Sequence, residues 1–239
     1  MTEGLAPVPT LKSVTARLRC WSSPWPSTRT HVITVLVVAA AASAFASYAQ
    51  DAWAQWHYIG HSLVLWIIVA TAAALRGTLL QSWLTTSTTL AVAVAVYFAA
   101  TRIFGPFDQY PPLAPLLLLW IVLAAVGGFG FAVLCLTAVG RGWPSFLAAG
   151  VIAGLMLGDA LNASIGIPYI EQHQPIEALH SILADPGPVL VIGCIAAAGW
   201  IAAMLIHQRH RLATVWLVIP GLIAGHALAS IPDLLLHYV

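Results

Sequence analysis

Charge is the scarce ingredient of this chain. Among 239 residues, nine are Lys or Arg and eight are Asp or Glu, 7% in all, against roughly 25% in an ordinary soluble domain. So few charged side chains cannot cover a water-soluble fold of this size, and 60% of the residues are hydrophobic. A soluble globular class is thereby excluded. The formal charge of +1 offers no basic patch for nucleic acid, so no nucleic-acid partner is expected. Lysine is scarcer still: Lys12 is the only one, and with none in any apolar run a retinal-type Schiff base is excluded there. The three cysteines, Cys20, Cys135 and Cys194, form no CxxC pair and no disulfide framework. There is no GxSxG elbow, no HExxH zinc motif and no P-loop, so hydrolase chemistry has no visible signature and any ATP dependence would come from a partner.

What the chain has in abundance is long apolar stretches. A membrane span needs about 20 mostly apolar residues, and seven stretches meet or approach that length: residues 32–48, 62–75, 79–101, 113–139, 143–165, 188–206 and 212–231. No alternating pattern of a barrel is present, and a backbone in lipid must satisfy its own polar groups, so each span is expected to be a helix. The fold class is therefore all-α, a polytopic transmembrane helix bundle of seven spans. Residues 1–30 read as a basic tail, followed by a single helical domain over 31–239. The apolar run from Val32, with Ala44, Phe45 and Ala46 near its end, also fits a signal peptide. Cleavage there would leave six spans.

Basic residues set the orientation. Lys12, Arg17, Arg19 and Arg29 precede the first span, and Arg76, Arg141, Arg209 and Arg211 fall in alternate connections, leaving only Arg102 for the opposite side. Asp51, Asp108, Glu171, Glu177, Asp185 and Asp233 all fall on that opposite side. The N-terminus is expected in the cytoplasm and the C-terminus outside, in a bacterial cytoplasmic membrane. Within the long outer connection, Pro175 can open a short amphipathic helix over residues 175–184, lying on the membrane surface.

The polar residues inside or beside the spans carry what functional signal there is. Asp159 is the only acid inside a span, about 24 Å above the inner boundary at 1.5 Å per residue. A carboxylate at that depth is costly unless paired, protonated or hydrated, which makes it a functional candidate; packing glue between helices is the alternative. Asn162 shares its face. Gly150, Gly154 and Gly158 form one small-residue ridge and Gly221 and Gly225 another, suited to close helix approach within the chain or between copies. The fifth and seventh spans are therefore expected at the centre of the bundle. His226 follows the second ridge at nearly the depth of Asp159. The two can pair only if the ridges pack on other helices. His57 and His61, four residues apart, could give two ligands to a zinc ion, with a third from His173, His180, His226 or Asp159. That is the one cofactor the residues admit, and no complete zinc motif supports it.

Ser62 to Trp66, the turn with Arg76, Trp120 with Gly127 and Gly128, Trp143, and the run from Gly154 through Gly158, Asp159 and Ala160 together resemble a family of small uncharacterised polytopic membrane proteins of actinobacteria. The resemblance covers about residues 50–235; where this chain has Asp159, that family more often carries Glu. It implies a helical membrane fold and no particular activity. Polar sidedness favours an outward-facing cavity for small-molecule or ion binding or transport, lined by Asp159, Asn162, His61 and His226. One alternative is a lipid or isoprenoid enzyme with Asp159 as general acid, by analogy to small helical terpene cyclases with no matching motif. The other is an accessory or scaffold bundle, possible partners being membrane lipids, another protein or a second copy.

Overall fold

The computed structural model describes residues 28–52, 59, 62–104, 113–140, 142–165, 187–207 and 215–229. Seven α-helices account for nearly all of them: α1 Thr28–Ala52, α2 Val64–Ala74, α3 Leu79–Phe104, α4 Leu113–Ala138, α5 Trp143–Ile165, α6 Gly187–His207 and α7 Val218–Ala229. Each falls on one of the seven apolar runs, and no strand occurs among the described residues. Five are long and apolar enough to cross a membrane; α2 and α7 are shorter. The basic tail to residue 27, His57, His61 and the surface helix expected at 175–184 lie outside the described residues.

Local chemistry closes the helices. Gly77, at φ +93°, takes the left-handed conformation that ends α2 and that a side chain would strain. Thr78 then opens α3 with a capping box: its Oγ1 accepts the Gln81 N–H at 3.3 Å while Gln81 Oε1 accepts the Thr78 N–H at 3.0 Å. Ser82 Oγ donates back to the Ala74 carbonyl at 2.7 Å, fastening the hairpin. Gly142, at φ +108°, plays the Gly77 part before α5, and Pro144 sits in that helix's first turn, where a missing N–H costs nothing.

Helix α2 is the hub, in contact with α1, α3, α4, α5 and α6. Its Ile67 and Ala74 join Cys135 of α4, Ile152 and Met156 of α5, and Trp200 and Met204 of α6 in the main core. Side-chain donors to backbone carbonyls add directional ties: Trp200 Nε1 to Ala149 at 3.1 Å, and Trp83 Nε1 to Ala125 at 2.9 Å. Among the described residues the buried polar side chains are all Ser or Thr, small enough to pack and able to bond the local backbone. Thr71 donates to the Ile67 carbonyl at 2.7 Å and Thr101 to the Tyr97 carbonyl at 2.9 Å. Having spent its proton there, Thr101 accepts from Ser47 at 2.9 Å, joining the far ends of α1 and α3.

The perimeter is as apolar as the core. Val37, Leu118, Val126, Ile195, Ile206 and Ile223, from four different helices, are between 62% and 74% exposed. A belt of that kind is an aggregation hazard in water and an ordinary surface in lipid. With five helices of spanning length, the chain is a multi-pass helical membrane protein.

The glycine ridges meet each other. A side chain on Gly150 would run into the Val218 carbonyl and, at 3.0 Å, the Gly221 Cα; one on Gly154 would strike the Leu222 backbone; one on Gly225 would strike Val151 and Leu155. The matches advance together along both helices, so α5 and α7 run parallel. Only α5 is central, however. Helix α7 packs chiefly on α5, and its Ile219, Ile223 and Leu228 are exposed. This corrects the expectation that both ridge helices lie at the bundle's centre: a ridge demands one close neighbour, and α7 has one.

Candidate functional site

At the end of α5 remote from Gly142, Asp159 turns away from α7 and towards the start of α2. Ser62 Oγ donates to Asp159 Oδ2 at 2.5 Å, a short, charge-assisted bond if the carboxyl is ionised. The same Oγ accepts the Val64 N–H at 3.1 Å. One hydroxyl therefore satisfies an otherwise orphaned amide in the first turn of α2 and passes its proton towards the carboxylate. Ser62 is 3% exposed, whereas Asp159 and Asn162 are partly exposed. The carboxyl is thus tethered to α2 by a buried hydroxyl while the residue keeps some exposure. Directly behind it, Ala160 packs on Gly193 of α6, where a side chain would meet the Ala160 Cβ at 2.5 Å. That contact fixes the azimuth of this part of α5.

His226 stands on the other side of the ridge contact. Its Cα and Nδ1 each lie 2.8 Å from where a Cβ on Gly158 would be, and the residue is exposed. Because the ridges face each other, Asp159 and His226 leave the α5–α7 seam on different sides, as expected for residues one step past facing glycines. The structure joins Asp159 to Ser62, sets Asn162 one turn further along α5, and seats His226 against Gly158. His61 immediately precedes Ser62 but, with His57, His173 and His180, lies outside the described residues. Among the described residues no group of three or more His, Cys, Asp or Glu is placed to hold a metal ion.

Ser62 is the residue that sequence reasoning missed. A Ser two positions before an apolar run is a helix-start signal, but nothing in the sequence says which acid lies across from it.

Trp66 and Tyr97 shape the neighbouring part of α2 and α3. Their rings meet edge-on with centroids 5.9 Å apart, and Trp120 of α4 lies 6.1 Å from Trp66. This aromatic cluster packs the helices beside the polar end and is rigid by its size and edge-to-face geometry.

The opposite end of the bundle is different in character. His31 of α1 and Arg76 after α2 both line a cavity there, and Arg29 is at the same end of α1. Arg102, by contrast, follows Thr101 at the Asp159 end of α3.

Comparison with protein-family models, with curated proteins and with solved structures finds no match to this chain.

Proposed function

We propose that this protein binds or transports a small polar molecule or cation at the outward-facing end of a helical bundle in a bacterial cytoplasmic membrane, with Asp159 as the anchoring group. The observation that carries the reading is the Ser62–Asp159 pair: a partly exposed acid inside a spanning helix, oriented by a buried hydroxyl. A carboxylate in lipid costs several kcal/mol unless something compensates it, so such residues mark sites. Asn162, half-buried on the same face, adds a donor and an acceptor. His61, next to Ser62 in the sequence, and His226, across the α5–α7 seam, are the further candidates of the set, and zinc is one cation it could take. Arg29 and Arg76 at one end, with Asp159 at the other, support an N-terminus in the cytoplasm.

The test is thermal unfolding of the detergent-purified protein titrated in turn with sodium, zinc and tetramethylammonium chloride. At least one probe is expected to raise the wild-type melting temperature in a saturable way and to leave Asp159→Asn unmoved. Coincident wild-type and variant curves with all three would reject Asp159 as a cation anchor and return it to helix packing.

A further inference from the structure

A cavity lies at the Arg76 end of the molecule, remote from Asp159. It has a volume of about 320 Å³ and sits between α1 and α2. Its walls are apolar: Val35 from α1, Val69 and Ala72 from α2. Its polar lining residues are His31, Thr34 and Arg76, with Arg76 close enough to His31 for their charges to interact. Held by a hydrogen bond to the Ala73 backbone, His31 has its Nε2 shut off from solvent with no partner. Thr34 and Val38, which line it, are also exposed on the outer surface of α1.

We propose that this cavity is a binding seat for an anionic phospholipid, with Arg76 and Thr34 on the phosphate and the valine-lined wall on the first part of one acyl chain. Three features select that occupant. Among the described lining residues, the Arg76 guanidinium and the Thr34 hydroxyl are donors and no carboxylate is present, which complements a phosphate. The walls are hydrocarbon, which a free phosphate would not use. The opening faces the membrane rather than water, so a chain too long for 320 Å³ continues along the exposed Val37 and Val38 surface. Arg76 is placed to snorkel at the headgroup level, and basic residues between spanning helices bind such headgroups. The seat rests on the membrane-spanning reading of the fold but not on any role for Asp159.

The experiment is native mass spectrometry of the full chain in detergent, titrated with phosphatidylglycerol, with phosphatidylcholine of the same chains, and with inorganic phosphate. Wild type is expected to retain phosphatidylglycerol in preference to phosphatidylcholine and to hold no inorganic phosphate. Arg76→Gln is expected to weaken phosphatidylglycerol binding about fivefold, the strength one basic residue lends near an anionic lipid. Arg29→Gln, which alters an exposed charge at the same end without touching the cavity, should change it little. Ala72→Leu fills the cavity with all charges intact and should also lose the lipid while melting at or above the wild-type temperature, which separates loss of the seat from misfolding. Equal retention of the two lipids, equal losses in Arg29→Gln and Arg76→Gln, or unchanged binding in Ala72→Leu would each overturn the proposal.

Discussion

At the scale of single residues, the decisive contact is the one between Ser62 and Asp159. The hydroxyl has two jobs, receiving the Val64 amide and donating to the carboxyl, so its removal leaves both groups short of a partner. Interhelical side-chain bonds in membrane proteins couple by about 0.6 kcal/mol on average and at most about 1.7. A partly exposed acid can recover some of the loss from water. Ser62→Ala and Asp159→Asn are therefore expected to destabilise individually and to show a coupling of about 1 kcal/mol in a double-mutant cycle of detergent unfolding. Strict additivity would mean that the bond contributes nothing. This contact was only half legible in the sequence. The cost of an intramembrane acid singles out Asp159 from composition alone, but Ser62 is one of many hydroxyls, and which of them faces the acid depends on the rotation of α2 against α5. That rotation is set by close packing such as Ala160 on Gly193, which no pairwise spacing in the sequence encodes.

At the scale of helices, the α5–α7 pair is held by backbone contact rather than by interdigitating side chains. Gly154 faces the Leu222 backbone, whereas Gly127 of α4 has open space where a side chain would go. Gly154→Leu is expected to force the helices apart, costing about 2–3 kcal/mol or abolishing assembly, as overpacking of a tight contact does. Gly127→Leu, with a side chain pointing into open space, should melt within about 0.5 kcal/mol of wild type. Equal behaviour of the two variants in a melting assay would contradict the seam. The ridges were legible as close-approach devices because small residues four apart have few other uses in a membrane helix. Their partner was legible only in part, and the outlying position of α7 not at all. In a soluble protein a polar face would mark the outside of such a helix. Here the outside is lipid and the exposed side of α7 is almost wholly apolar, so beyond the glycine ridge no polar stripe tells how much of the helix is covered.

At the scale of the whole molecule, the account joins a two-ended bundle to a membrane. One end carries the capped turn with Arg76 and the cavity between α1 and α2; the other carries Asp159, Ser62 and Asn162. The seven helices and their order follow from run length and from the rule that backbone polar groups in lipid bond within their own helix, which is why they were readable as runs, though not to the residue at their ends. The hub position of α2, the shortest helix, was not, since centrality is a property of packing rather than of length. The central claim is that the Asp159 end is hydrated and faces outward. It is tested most directly by cysteine labelling in intact cells, in a background with Cys20, Cys135 and Cys194 replaced by serine or alanine, using a membrane-impermeant maleimide. Asn162→Cys, one turn beyond Asp159, is expected to label in intact cells, whereas Thr78→Cys, exposed in the Arg76 turn, should label only after permeabilisation. The reverse pattern would contradict the orientation, and an Asn162→Cys that stays unlabelled even after permeabilisation would contradict a water-accessible site at Asp159.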